Sequence, residues 1–286
     1  MNASISTRLE TARTIMSCRF AAVSLVAIAL ASCQSAGFPG SADIDPTTAS
    51  PANIASLSAV VSQNPTDASA YNVRGTAYGR AGRNKDALAD FNQAIAVNPN
   101  FYQAYANRAL VERRMKQDQK ALADYNMAIQ INPNYSEAYI GRANLYRSAG
   151  QADLALADLT KAIQIEPSDP KGYYNRALIY QSQNLHEDAI SDLTVATTYA
   201  PSSTDPFLSR GLSYLATGDY KAALDDFNNV LRKNPNSYSG WTDQGLALEK
   251  LGETQKAYTA FARAQAINPD YAPAREGMRR IAPSGA

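Results

Sequence analysis

Apolar, small and polar residues repeat along most of this chain with a fixed period of 34 residues. The period is clearest in seven of the fourteen prolines: Pro65, Pro99, Pro133, Pro167, Pro201, Pro235 and Pro269. With Ala68 as position 1, it divides residues 68–271 into six units: 68–101, 102–135, 136–169, 170–203, 204–237 and 238–271. A period of this length indicates small structural units stacked around one continuous core.

Each unit carries two apolar stripes at helical spacing. Position 4 is aromatic and position 8 is glycine or alanine, and with position 11 they lie on one face of a helix; positions 20, 24 and 27 lie on one face of a second helix. Position 15 is glycine in four units and Asn184 in another, and both residue types adopt the left-handed conformation at helix ends. The proline follows the second helix, because the residue before a proline disfavours the α conformation. The pattern therefore predicts helix-turn-helix hairpins.

This order of aromatic, small, small, aromatic, small and proline residues resembles the tetratricopeptide repeat, over about seven tenths of the chain. The resemblance implies an all-α fold, an α-solenoid wound as a right-handed superhelix of about six and a half repeats. Residues 52–67 have Leu57 and Val60 at positions 24 and 27 of an incomplete unit, which predicts an N-terminal capping helix. Residues 272–286 are predicted to form a C-terminal capping helix and tail.

The N-terminus predicts export. Residues 20–32 are uncharged and mostly apolar, follow three arginines, and are too short to span a bilayer, which indicates a signal peptide over residues 1–32. The sequence Leu30-Ala31-Ser32-Cys33 resembles the lipobox of bacterial lipoproteins, which implies that Cys33 is lipidated and becomes the first mature residue. An ordinary signal peptide with an unmodified cysteine is the alternative.

Residues 34–51, which follow Cys33, are rich in Gly, Ser, Thr, Pro and Ala, and we interpret residues 33–51 as a lipidated cysteine and flexible tether. A flexible chain of this length reaches roughly 23 Å. The residue after the cysteine is Gln34 and not aspartate, which by the lipoprotein resemblance implies the outer membrane, with the repeats facing the periplasm. Met16 opens a shorter signal peptide of more usual proportions and is an alternative start of translation.

Charge and residue inventory exclude several classes of function. The chain has 27 Lys and Arg against 26 Asp and Glu, a net charge of +1, which lacks the basic excess that nucleic-acid binding favours. One histidine and two cysteines cannot supply a structural metal site. The sequence contains no nucleophile elbow, P-loop or dinucleotide motif, so we expect no catalytic residues, no cofactor and no metal.

Arginine and aspartate repeat in register within the array. Position 7 is Arg74, Arg108, Arg142, Arg176 and Arg210, and position 23 is Asp90, Asp124, Asp158, Asp192 and Asp226. In the sixth unit both charges are lost together, because these positions are Gln244 and Ala260. Positions 7 and 23 are symmetric about the turn at position 15, so we predict that they pair within or between hairpins. Two independent solvated charges are the alternative.

The second unit departs from the pattern at two positions. Glu112 replaces the tyrosine that four other units have at position 11, and Lys116 replaces the turn glycine. Their i, i+4 spacing predicts a favourable ion pair on the helix surface.

The tetratricopeptide resemblance also implies a binding surface, the concave side lined by the first helices through positions 2, 5, 9, 12 and 13. At these positions the first three units carry polar and basic candidates: Asn72, Arg80, Arg113, Arg114, Asn144 and Arg147. The later units carry Tyr174, Leu178, Leu208, Leu212 and Lys250. Such a surface, basic at one end and apolar towards the other, suits a protein segment with carboxylates. A solvated basic stripe and packing between adjacent units are the alternatives.

Signal, tether and repeats together resemble tetratricopeptide-repeat lipoproteins of the NlpI type. This implies a non-enzymatic adaptor, anchored to the bacterial envelope through Cys33, that holds other proteins or peptide segments in cell-envelope or peptidoglycan maintenance. The alternative is an assembly or pilotin-like lipoprotein of a pilus, secretion or outer-membrane biogenesis machine. No residue supports a third class, an enzyme. The sequence leaves the partner's identity and self-association into a homodimer open.

Overall fold

The computed structural model describes residues 49–282, which form fourteen α-helices and contain no strand. The predicted signal peptide, Cys33, nearly all of the predicted tether and the last four residues lie outside the described residues. Each helix contacts the next one along the chain, so the described residues fold as consecutive antiparallel hairpins. The predicted all-α solenoid of helix-turn-helix repeats is confirmed.

The helices alternate between two roles after a lone first helix, α1 (Pro51–Gln63). The first helices of the hairpins, called A helices here, are α2 (Ala68–Arg80), α4 (Tyr102–Arg114), α6 (Ser136–Ser148), α8 (Pro170–Ser182), α10 (Asp205–Thr217) and α12 (Tyr238–Lys250). The second helices, called B helices, are α3 (Asn84–Val97), α5 (Asp118–Ile131), α7 (Ala152–Ile165), α9 (His186–Tyr199), α11 (Tyr220–Lys233) and α13 (Thr254–Ile267). The last described helix is α14 (Ala272–Ile281).

Every A helix ends in a left-handed residue at position 15. The four glycines there have φ between +72° and +87°, and Lys116 and Asn184 have φ of +60°. In five of the six hairpins the chain then closes the helix end with a bond back to the last turn, as in the 2.9 Å bond from Arg83 N–H to Tyr78 C=O. The turn predicted from glycine and asparagine is confirmed, and Lys116 adopts it as well, at a conformational cost of about 1–2 kcal/mol.

The core of each hairpin depends on a match between positions 8 and 24. A Cβ built on Gly211 at position 8 would lie 2.6 Å from the ring of Phe227 at position 24, so an alanine there would collide with the ring. Glycine accompanies phenylalanine in the same way in the first and sixth units. Where position 24 is the smaller Leu159 or Leu193, position 8 is alanine. Ring size and backbone approach are therefore adjusted together in five of the six hairpins, whereas the second combines Ala109 with Tyr125 and instead places that ring against Gly141 of α6.

The two layers of helices are packed differently. Neighbouring A helices contact one another along the whole series from α2 to α12, whereas no two B helices among the described residues are in contact. A stack whose A helices lie closer together than its B helices curves towards the A side. The A helices therefore line the inner surface of the described array.

The two ends of the array are finished differently. On α1, Val60 is 43% exposed, although the same position 27 is at most 3% exposed in the six complete hairpins, because α1 has no A helix of its own. At the other end, α14 places Gly277 on the ring of Phe261, and Arg280 binds Glu249 of α12 through two bonds of 2.6 Å.

Candidate functional site

The five arginines at position 7 form ion pairs with the five aspartates at position 23. In each hairpin the Nε and Nη2 atoms of arginine donate to the two carboxylate oxygens of aspartate over 2.6–2.8 Å. The aspartate side chains are only 4–10% exposed. The predicted pairing is confirmed, and it lies within each hairpin.

The same arginines also link adjacent hairpins. Nη1 of Arg142 donates to Oδ1 of Asn126, at position 25 of the preceding hairpin, over 2.7 Å, and Arg108, Arg176 and Arg210 make equivalent bonds. Gln244 keeps this link without the charge, because its Nε2 donates to Asn228 over 2.7 Å. Sequence reasoning missed this role of position 25, although the residue there is Asn or Thr in five units.

Aromatic rings flank these guanidinium groups. Arg142 lies 5.6 Å from the ring centroid of Tyr139 and 5.8 Å from that of Tyr146, and three other hairpins repeat the arrangement. Hydrogen bonding to Asp158 raises the pKa of Arg142 above its ordinary value. These five arginines are structural, and few of their hydrogen-bond donors remain available to a binding partner.

A second group of arginines lies at the C-terminal ends of three neighbouring A helices. Arg80, Arg114 and Arg147 are exposed, in the last turns of α2, α4 and α6, and none forms an ion pair or hydrogen bond with another described residue. Arg113 on α4 is half-buried. We call these four residues the arginine cluster. It is the basic end of the predicted surface.

Arg114 is held in the seam between two A helices. Its Nη2 lies 3.0 Å from where a Cβ on Gly79 of α2 would be, so the guanidinium lies against the backbone of that helix. Burial, and then the neighbouring charge of Arg113, lowers the pKa of Arg114. Arg114 is therefore exposed but in contact with α2, and no described carboxylate pairs with it.

The two predicted asparagines are less available than the arginines. Asn72 accepts a 2.9 Å hydrogen bond from Nδ2 of Asn107 on the next A helix. Asn144 is 9% exposed and therefore the least accessible of the predicted binding residues. Both asparagines lie on A helices that also carry the arginine cluster, but the bond from Asn107 uses part of the capacity of Asn72, and burial restricts access to Asn144.

The apolar end of the surface combines packing with exposure. Tyr174 and Leu208 are half-buried and pack against the cores of their own hairpins, which is the packing alternative seen in the sequence. Leu178 is half-buried, and Leu212 is 42% exposed, which is high for a leucine in a folded array. Lys250 is exposed at the end of α12. Part of the apolar surface at this end therefore remains exposed to solvent.

Glu112 does not pair with Lys116, and that prediction is wrong. Glu112 is 7% exposed, and its Oε2 is buried without a hydrogen-bond partner among the described residues. Burial, and secondarily the charge of Asp124, raises its pKa to about 7. Glu112 occupies position 11, which a half-buried tyrosine fills in four other hairpins.

Comparisons with known proteins agree with this architecture. Family models described as tetratricopeptide repeat match residues 72–136 and 208–272, residues 125–157, and residues 170–203, and a TPR repeat model matches residues 143–184. No curated protein matches the chain significantly. Among the described helices, none is both long and apolar enough to cross a bilayer.

Several solved structures are similar in fold. The Cut9–Hcn1 hetero-tetramer of the APC/C has a TM-score of 0.68 at 18% identity over 80% of this chain; the match spans only 45% of that chain. YrrB, a TPR protein with an unusual peptide-binding site, has a TM-score of 0.58 at 21% identity, over 66% of this chain and 97% of that one. PilW, a type IV pilus biogenesis factor, has a TM-score of 0.65 at 19% identity, over 75% and 97%. At these identities the likeness shows the fold alone.

Proposed function

Because the chain belongs to the tetratricopeptide repeat family, we propose that it is a non-enzymatic adaptor that binds segments of other proteins on the concave surface of its A helices. A concave helical surface of this kind accepts an extended or helical segment without a deep pocket. The proposal concerns the surface between the basic end at α2, α4 and α6 and the apolar end at α8 and α10.

The contrast between satisfied and unsatisfied side chains on the A helices carries this proposal. The position 7 arginines use their donors within the array, whereas Arg80, Arg114 and Arg147 have no described partner. Leu212 adds exposed apolar area on the same layer of helices. Charged side chains without partners, on the same layer of helices as exposed apolar area, are typical of an interaction surface.

We further propose that the adaptor is attached to the bacterial envelope through a lipid on Cys33, faces the periplasm, and acts in cell-envelope or peptidoglycan maintenance. The support is the lipobox-like sequence before Cys33, the tether-like composition that follows, and the resemblance to lipoproteins of the NlpI type. Metabolic labelling with an alkyne fatty acid tests the anchor. Label on the wild type and none on Cys33→Ser is expected, and equal label on both would contradict it.

Crosslinking from the two sides of the array tests the adaptor function. A photoreactive residue placed at Leu178 or Leu212 on the concave side is expected to capture the same discrete partner in cells. The matched control is Ala96 on α3 or Thr259 on α13, which are exposed on the B layer. Capture that is equal from both sides, or absent from the concave side, would refute the assignment of the surface.

The second candidate is an assembly lipoprotein of a pilus or secretion machine. The fold shared with PilW is compatible with this role, although it doesn't assign it. Co-purification of the chain with an outer-membrane secretin would favour this candidate, and normal secretin assembly in a deletion strain would count against it.

A further inference from the structure

We infer that the arginine cluster at the ends of α2, α4 and α6 recognises an acidic segment of a partner protein, an inference that rests on the proposed adaptor function and names the chemistry of its ligand. The occupant is a run of aspartate or glutamate side chains lying across the three neighbouring A helices. Carboxylates match guanidinium groups because each arginine can donate two parallel hydrogen bonds to one carboxylate.

The first support is the division of the arginines on the A helices into two sets. Every position 7 arginine has an aspartate within 2.8 Å. Arg80, Arg114 and Arg147 have no carboxylate partner among the described residues, although they lie on adjacent A helices. The array therefore supplies counter-charges for the position 7 arginines and none among the described residues for Arg80, Arg114 and Arg147.

The second support is the seam that holds Arg114. Its guanidinium lies against Gly79, where a Cβ would come within 3.0 Å of Nη2, and beside the like charge of Arg113. Two neighbouring like charges are unfavourable in the free protein. An incoming carboxylate would reduce this repulsion at a guanidinium that is already positioned against α2.

The third support is the distribution of charge. Residues 68–135 carry nine basic and five acidic residues, in a chain whose overall charge is only +1. Favourable interaction with the C-terminal ends of helices could explain any single arginine. It does not explain the grouping, because α8 and α10 have no basic residue in their last turns.

An acidic protein segment fits this site better than an anionic membrane surface. A flat surface is best met by long side chains that project freely, whereas the guanidinium of Arg114 lies against Gly79 of the neighbouring helix α2. The exposed Leu212 on α10 continues the same layer of helices with apolar area, which a polypeptide with acidic and apolar parts can use.

Binding of a defined acidic peptide tests this inference. The full chain in nonionic detergent is titrated into fluorescein-labelled hexaglutamate, with hexaglutamine as the neutral probe. One variant combines Arg80→Gln, Arg114→Gln and Arg147→Gln. The matched control combines Arg263→Gln, Arg275→Gln and Arg279→Gln, three exposed arginines that also have no described ion pair. Circular dichroism establishes that both variants remain folded.

We expect hexaglutamate to bind more tightly than hexaglutamine, and the cluster variant to weaken hexaglutamate binding about tenfold or more, because several charge-assisted bonds are lost. The control variant should change it by less than about twofold. Equal weakening in both variants would overturn the inference, because net charge would then be the cause. So would the absence of a preference for hexaglutamate.

Sedimentation with vesicles separates the membrane alternative. If phosphatidylglycerol vesicles, but not phosphatidylcholine vesicles, bind through the cluster and hexaglutamate does not, the cluster is a membrane site and the inference is wrong. Crosslinking from Leu178 and Leu212 is independent of this result. Specific capture there without hexaglutamate binding would reject the acidic segment and leave the adaptor function standing.

Discussion

Removal of one aspartate from the repeated ion pairs tests the energetics of the array most directly. In Asp158→Ala, the guanidinium of Arg142 loses two charge-assisted bonds of 2.7 and 2.8 Å but stays between the rings of Tyr139 and Tyr146. The side chain of Arg142 is only 19% exposed, so water restores only part of its hydration. We expect a loss of about 3 kcal/mol, at the low end of the cost of breaking a buried pair.

The sixth hairpin supplies the matched control. Gln244 and Ala260 stand where the other hairpins have arginine and aspartate, and Gln244 still donates to Asn228 of the preceding hairpin. The double variant Arg142→Gln with Asp158→Ala copies this arrangement and leaves no charge without a partner. We therefore expect the double variant to cost only about 1 kcal/mol, less than Asp158→Ala alone.

Urea unfolding followed by far-UV circular dichroism measures both changes in the free energy of unfolding. The slope of that free energy against urea must agree among the variants, because a stacked array can lose cooperativity and then no single free energy describes it. If the double variant loses as much as Arg142→Gln and Asp158→Ala added together, the two side chains are not coupled and the reasoning fails.

Three further predictions concern other features. Burial raises the pKa of Glu112 to about 7 from 4.5. Between these pH values the folded state retains a proton that the unfolded state loses, so the stability of the protein falls as pH rises through this range. Glu112→Gln should therefore stabilise the protein by about 2 kcal/mol near pH 8 and hardly at all near pH 4, and equal effects in urea unfolding at both pH values would disprove this. Lys116→Gly should stabilise by about 1 kcal/mol, since glycine has little left-handed strain, whereas a lower urea midpoint would contradict it. Gly211→Ala should destabilise the protein by about 2 kcal/mol, because the new methyl group collides with the ring of Phe227. Adding Phe227→Leu to this variant should recover part of the lost stability in calorimetry, and no recovery would argue against the collision.

The sequence predicts the architecture well because several independent signals coincide in each repeat. Alanine at position 20 is fully buried in all six hairpins, Asn184 has the left-handed conformation that its place in the turn suggested, and the joint loss of charge at Gln244 and Ala260 indicated the ion pairs. These features depend on contacts within one hairpin, and a period of 34 residues fixes their relative height.

Features that depend on contacts between hairpins are harder to predict. The bond from Arg142 to Asn126 depends on how far one hairpin is displaced along the next, which the spacing within a unit does not give. Asn144 and Leu212 both occupy position 9, yet one is 9% and the other 42% exposed, because neighbouring A helices cover them differently. The i, i+4 spacing of Glu112 and Lys116 permits a surface pair, but burial of position 11 decides the direction of the side chain.

The backward direction of the position 7 bonds has a mechanical consequence. Arg108, Arg142, Arg176 and Arg210 each fasten their own hairpin and the one before it, whereas the last hairpin is fastened only through the neutral Gln244. When the described array is pulled from its C-terminal end, we expect α14 to detach first and the hairpins to follow in order towards α1, starting with the last one. Separation of each of the four preceding hairpins from the one before it would then break a bond from an arginine to a neutral Asn or Thr, and unfolding of that hairpin would also break its Arg–Asp pair.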